Sequence, residues 1–254
     1  MLNDSIIRVE HLELSFNQVT AVRDVSMELN KEILAVIGPN GAGKTSFLNC
    51  LNGFYVPQRG NISFEGIDIT RMRPPKISKL GISRTFQMSE LYTGLSVVDN
   101  LMAARHNLMK YGPFAASIFF GPVRKTEVAH RQVVEEIIDF LEMESIRNKT
   151  VGTLPYGLRK RVELGRALAT EPKVILLDEP MSGMNLEEKE DMARFVMDIF
   201  DDMDIAIILV EHDMEVVMDI SHRVVVLDFG EKIAEGPPEA IKKNPKVMKA
   251  YLGE

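Results

Sequence analysis

The sequence has a single cysteine, Cys50, so no internal disulfide can brace the fold. A lone thiol inside a helical stretch is expected to be buried and structural rather than reactive. No Cys/His spacing suited to a resident metal occurs. Long apolar runs are also missing: the longest purely aliphatic ones, such as IAIILV at 205–210, fall far short of the ~18 residues a bilayer helix needs. No charged-then-apolar leader opens the chain, and a cytoplasmic placement is expected. Repeats and low-complexity tracts are absent. Acidic residues outnumber basic ones, 37 to 30, and the formal charge of −7 argues against a general affinity for nucleic acid. What is present is a chain of 254 residues, 45 % hydrophobic, able to bury a large core as one domain or as a core with a subdomain. Its 15 methionines fit that core as gap-fillers.

The stretch LAVIGPNGAGKTSFLN, 34–49, carries the first sign of chemistry. Its G-x-x-x-x-G-K-T spacing fixes Gly38, Gly43, Lys44 and Thr45 as a phosphate-binding P-loop. Ile33 to Ile37 precede it as a buried parallel strand, and Thr45 to Asn52 follow as a helix with Gly53 as its stop. Glycines let successive backbone N–H groups converge on a phosphate, the helix N-terminus favours negative charge, and Lys44 adds a point charge for the terminal phosphates. Nucleotide contacts are expected at Gly38, Pro39, Asn40, Gly41, Ala42, Gly43, Lys44, Thr45 and Ser46, with Thr45 also a ligand for Mg²⁺. An ordinary glycine-rich turn would not need the strand and helix on either side.

Elsewhere the hydropathy pattern orders the chain. Alternation over residues 6–29, as in Leu12, Leu14, Phe16 and Val25, Met27, Leu29, predicts an antiparallel β layer, and NISFEG adds a further short strand. From Ser96 to Asn148 the spacing turns helical, through Val97, Leu101 and Leu108 and then Val134, Ile137, Ile138 and Leu141, with Ser96 and Asp99 resembling a capping box. The apolar segment YGPFAASIFFGPV at 111–123 is a short buried helix or an exposed apolar loop. KVILLD, IAIILV and RVVVLD are three buried strands separated by helices, the pattern of a parallel α/β sheet. The lysine-rich end predicts a solvated helix face.

In KVILLDEP the strand delivers Asp178 and Glu179 to its C-terminal end, where α/β proteins place their ligands. Asp178 is suited to the shell of Mg²⁺, and Glu179 to orienting or deprotonating an attacking water, which points to hydrolysis. An acidic pair at a strand end otherwise serves a helix N-terminus; the P-loop in the same chain argues for catalysis.

With these motifs in place, nearly the whole chain resembles the ATP-binding cassette family. The resemblance implies a P-loop NTPase fold: a RecA-like parallel-sheet core, an N-terminal antiparallel β layer and an inserted helical subdomain. It implies one domain over 1–254, with 1–87 and 163–254 as the nucleotide-binding core and 88–162 as the helical insertion carrying the signature segment. Gln87 of SRTFQ is similar to the glutamine that senses Mg²⁺ and water, and His212 of LVEHDM to the switch histidine that contacts the γ-phosphate. Phe16 falls where the family stacks an aromatic on adenine, although a core position on an alternating strand is the competing reading. Ser182, Gly183, Met184 and Asn185 resemble the D-loop, with Asn185 in place of the commoner aspartate. The signature departs further: L-S-G-G-Q is replaced by Leu154, Pro155, Tyr156, Gly157 and Leu158, losing a serine hydroxyl and one backbone donor.

Within the family, one P-loop and no heptad-rich insertion set the chain apart from tandem and DNA-repair members. The phrases LNCLNGFYVPQRGNISFEG, GISRTFQ, LSVVDNL, VEHDMEVVM and AYLGE look similar to the ATP-binding subunits of bacterial branched-chain amino-acid importers. That resemblance implies ATP and Mg²⁺ as cofactors and a place on the cytoplasmic face of the membrane. Its implied partners are multispanning permeases, a second cassette (heterodimer or homodimer) and, indirectly, an external solute-binding protein. A standalone ATPase in signalling or nucleic-acid-linked regulation, and a small-molecule phosphotransferase, are the competing classes.

The altered signature suggests asymmetry, with a competent P-loop site in this chain and a weaker signature lent to the partner. Pro155→Ser is therefore expected to raise ATP turnover and nucleotide-dependent dimer stability in the assembled complex, by up to about tenfold for one regained hydrogen bond. Unchanged values in both measurements would remove the asymmetry.

Overall fold

The computed structural model describes residues 5–85, 91–108 and 122–252. Gln87 and most of the apolar 111–123 segment lie outside the described residues. Two sheets form the frame. An antiparallel sheet of order β2-β1-β4-β5 contains β1 (Ile7–Phe16), β2 (Val19–Leu29), β4 (Arg59–Phe64) and β5 (Ile67–Asp68). The second has order β10-β9-β3-β8-β7-β6, built from β3 (Ile33–Ile37), β6 (Ile82–Arg84), β7 (Val174–Asp178), β8 (Ala206–Val210), β9 (Arg223–Asp228) and β10 (Glu231–Gly236). Its strands pair in parallel except β10, which returns antiparallel beside β9.

The continuous apolar runs of β3, β7 and β8 follow from burial on both faces. Leu34 and Val36 pack with the antiparallel sheet and with Phe47 and Leu48 of α1 (Lys44–Leu51). Ala35 and Ile37 point the other way, towards α7 (Met214–Ile220), α8 (Pro238–Lys242) and α9 (Pro245–Leu252). Ile175, Leu177, Ile207 and Leu209 instead face α3 (Val97–Ala104), α4 (Pro122–Phe140), α5 (Tyr156–Leu168) and α6 (Leu186–Met203). A short α2 (Pro74–Leu80) precedes β6. No described helix is long and apolar enough to cross a membrane.

Several expectations are refined. The helix after the P-loop begins one residue earlier than expected, at Lys44, and Gly53 stops it with a φ of 74°. Ser96 caps α3 by accepting from the Asp99 N–H at 3.2 Å. In place of a return bond to the Ser96 N–H, the Asp99 carboxylate accepts from the Ser96 hydroxyl at 2.5 Å, since aspartate is one methylene shorter than the glutamate of a full box. Leu108 belongs to a 3₁₀ turn over Arg105–Leu108 rather than to α3. Phe16 does not continue the buried alternation of Leu12 and Leu14: it is 41 % exposed at the end of β1, its ring edge-on to Tyr55 at 4.9 Å. Cys50 is buried as expected, and burial pushes its thiol up to about 12.

One buried cation ties the helical layer together. Arg105, 2 % exposed, donates to the Ala169 carbonyl at 2.9 Å, to Glu171 at 2.7 Å and through Nε to His130 Nδ1 at 2.9 Å. Burial, and then the Arg105 charge, hold the His130 pKa below its ordinary value, and the neutral ring serves as acceptor. The unfolded chain takes up this proton more readily than the folded one, so the contribution is complete above the unfolded pKa of ~6.5 and is lost as the pH falls through the lowered folded value. Thermal melting between pH 7.5 and 5 is expected to show a fall in Tm that is shallower in His130→Gln.

Candidate functional site

The P-loop is shaped by close backbone approach. Gly38 has a φ of 150°, and a Cβ there would lie 2.0 Å from the Leu227 carbonyl of β9. Gly43, φ 98°, is the N-cap of α1, where a Cβ would lie 2.1 Å from the Ala21 carbonyl of β2. The loop is thereby wedged between the two sheets. No side chain caps α1 and its first turn holds no acidic residue, so its leading N–H groups and its dipole are open to an anion. Lys44, 6 % exposed, folds back to donate to the carbonyls of Gly38 at 2.7 Å and Pro39 at 3.0 Å. Burial lowers its pKa, opposed by the charges of Glu179 and Asp178, which places all three groups in one electrostatic neighbourhood.

Asp178 ends β7 with its side chain fully buried. Its Oδ2 accepts from Arg84 at 2.7 Å, and Arg84 also donates to Asn49 of α1 at 2.5 Å. Asp178 Oδ1 is buried and has no hydrogen-bond partner among the described residues. Such an oxygen at a strand end suits the water shell of a divalent cation. Among the described residues no cluster of three His, Cys, Asp or Glu forms a metal cage, so a cation here would depend on few protein ligands.

Glu179 follows with a φ of 51°. Its Oε1 lies 2.5 Å from Nε2 of His212, which donates to the carboxylate. The sequence separates these two side chains by 33 positions, and the structure brings them together just past the ends of β7 and β8. Behind them sits a group that sequence reasoning passed over. Glu211, 3 % exposed, accepts from the Met181 N–H at 2.8 Å and from the His212 N–H at 3.1 Å. Burial raises its pKa, with the Glu179 charge adding to the effect. The one sequence signal was an acidic residue directly after an apolar strand.

The signature-like and D-loop-like segments meet each other within this chain. Pro155 is the N-cap of α5 without a side-chain bond, Leu154 and Gly157 are buried, Leu158 is half-buried and Tyr156 is exposed. A Cβ on Gly183 would lie 3.2 Å from the Tyr156 ring, and one on Gly157 would lie 2.2 Å from Glu188 Oε1. Ser182 is exposed and Met184 buried beside it. Asn185 caps α6 in a full capping box: it accepts from the Glu188 N–H at 3.0 Å, and its own N–H donates to Glu188 at 3.0 Å. Asparagine and aspartate serve equally as such caps, which accounts locally for the residue found here. Phe16, beside the turn of the β1–β2 hairpin, has the exposure a stacking platform needs.

Comparison with known proteins bears on the family and the fold. Residues 22–182 match the family described as "ABC transporter", and residues 231–254 match "Branched-chain amino acid ATP-binding cassette transporter". The chain is 37 % identical over 251 residues to the high-affinity branched-chain amino acid transport ATP-binding protein BraF of Pseudomonas aeruginosa, covering 98 % of each. It is 35 % identical over 257 residues to the corresponding LivG of Escherichia coli K12, covering all of both. Among solved structures it is similar to a nucleotide-free ATP-binding cassette from an ABC transporter, with a TM-score of 0.85 at 29 % identity, over 98 % of this chain and 100 % of that one. The ADP conformation of an ATP-binding cassette gives 0.85 at 30 % identity, over 98 % and 99 %.

Gly43 joins the loop to both sheets, so Gly43→Ala forces a left-handed alanine against the Ala21 carbonyl. The substitution is expected to destabilise the fold by about 1–3 kcal/mol and to weaken binding of a fluorescent ATP analogue. Urea denaturation and a titration check the two effects.

Proposed function

The chain belongs to the ATP-binding cassette transporter family, and from that premise we propose that it drives uptake of branched-chain or related amino acids through separate membrane permeases. ATP binding and hydrolysis come with the family. The cargo is inferred from full-length similarity to the BraF and LivG proteins. The observation that carries the hydrolytic assignment to individual residues is the Glu179–His212 contact past the end of the sheet that also bears the P-loop.

On this reading the nucleotide lies along the P-loop from Gly38 to Ser46, with Phe16 against adenine. Lys44 turns from its own loop carbonyls to the terminal phosphates. Thr45 and Asp178 Oδ1 would hold Mg²⁺, with Gln87 as a further ligand, and the ion would neutralise charge on the phosphates. Glu179 orients a water for in-line attack and accepts its proton, while His212 holds the carboxylate in place and faces the γ-phosphate. The products are ADP and phosphate. The 154–158 segment is presented to ATP on a second cassette, and the non-standard Pro155 fits a heterodimer. Residues 88–162 serve as the helical subdomain. A cleft of about 320 Å³ lies between α2, β6 and the ends of α3 and α5, lined in part by Arg84, Glu163 and Arg166. It is a suitable seat for a permease's cytoplasmic helix, and an external solute-binding protein completes the system.

Glu179→Gln is expected to slow ATP turnover by about 10²–10⁴-fold, the usual worth of a general base, and to trap an ATP-bound closed state. Tagged Glu179→Gln protein held on detergent-solubilised native membranes with Mg²⁺ and ATP should then retain multispanning permeases and a second cassette, identified by mass spectrometry. Reproducible absence of any membrane partner would favour a soluble ATPase instead.

A further inference from the structure

The turn that presents Glu179 adopts a backbone conformation that is uncommon for a residue other than glycine. Glu179 is left-handed, with a φ of 51°, and the next residue, Pro180, has no N–H with which to anchor the turn. The flanking N–H groups are both captured by the end of β8 and the residue after it: Glu179 N–H donates to the Val210 carbonyl at 2.8 Å, and Met181 N–H to Glu211 Oε1 at 2.8 Å. The second oxygen of Glu211 accepts the N–H of His212 at 3.1 Å. One buried carboxylate therefore spans the Glu179 turn and the His212 loop.

From this geometry we infer that Glu211 is a positioning residue for ATP hydrolysis, holding the Glu179 turn against the His212 loop so that the two side chains stay matched across the attacking water. The inference rests on the reading of Glu179 and His212 as the hydrolytic pair. Both of its partners are donors, so the position calls for an acceptor on each arm. An ionised carboxylate supplies two acceptors, whereas an amide supplies one and turns an N–H₂ towards the other donor. Glu211 is buried, and both of its side-chain hydrogen bonds go to backbone N–H groups, so it acts through the backbone on either side.

The test compares Glu211→Gln and Glu211→Ala with the native protein in the membrane complex, measuring ATP turnover, KM for ATP and Tm. Loss of one bridge in Glu211→Gln is expected to lower kcat about tenfold, and loss of both in Glu211→Ala about a hundredfold. KM should stay within about twofold in each, because the P-loop is untouched. If the alanine variant fails to fold, the near-isosteric glutamine variant carries the test alone. Native kcat in Glu211→Gln would overturn the inference. A rise in KM alongside the loss of kcat, both tracking a lowered Tm, would overturn it equally by assigning Glu211 to fold stability. A native complex without ATP turnover would instead defeat the hydrolytic reading, and the positioning role with it.

Discussion

Parallel strands that run level also end level, and the register of the central sheet does this for the whole site. Val36 pairs with Val210, and Val210 pairs with Asp178, so β3, β8 and β7 release their chains at one edge. From that edge β3 passes into the P-loop, β7 into Asp178 and Glu179, and β8 into Glu211 and His212. A slip of one residue in either pairing would exchange the two buried faces of a strand and withdraw its terminal side chain from the group. The apolar alternation that fills the cores on both faces is thus also what aligns the polar ends.

Placing so many charges at the rim of a dry core has an electrostatic consequence. Asp178 and Arg84 form a pair with side chains 0 % and 6 % exposed, and a buried pair of this kind is costly to break because the remaining charge is left uncompensated. Lys44 and Glu211 are both pushed by burial towards their neutral forms, and each is counterbalanced by hydrogen bonds or neighbouring charge. The edge is held together by pairs and bridges rather than by packing. On the proposed function, a polyphosphate arriving at the P-loop would draw Lys44 away from the Gly38 and Pro39 carbonyls.

The departures from the family pattern are concentrated in one contact. Tyr156 lies over Gly183, and Glu188 closes the α6 capping box with one oxygen while its other faces Gly157. The unusual 154–158 segment is therefore supported by the turn that follows Glu179, and Asn185 has a local capping duty independent of any partner chain.

Local pattern was sufficient wherever a residue's role follows from its neighbours in sequence. The P-loop, the three apolar strands, the strand-end Asp178 and Glu179, and the helix stop at Gly53 were legible because spacing and composition over a few residues decide them. His212 was legible only through the order of motifs. Tertiary structure decided what joins distant positions: Arg84 to Asp178 across 94 residues, Met181 to Glu211 across 30, and Lys44 folded onto its own loop. Phe16 shows the boundary between the two. Alternation along β1 left a core position open beside the adenine-stacking reading, but the strand ends there and the ring remains exposed. A one-dimensional period records which way a side chain points, and only the packed structure determines whether anything is there to bury it.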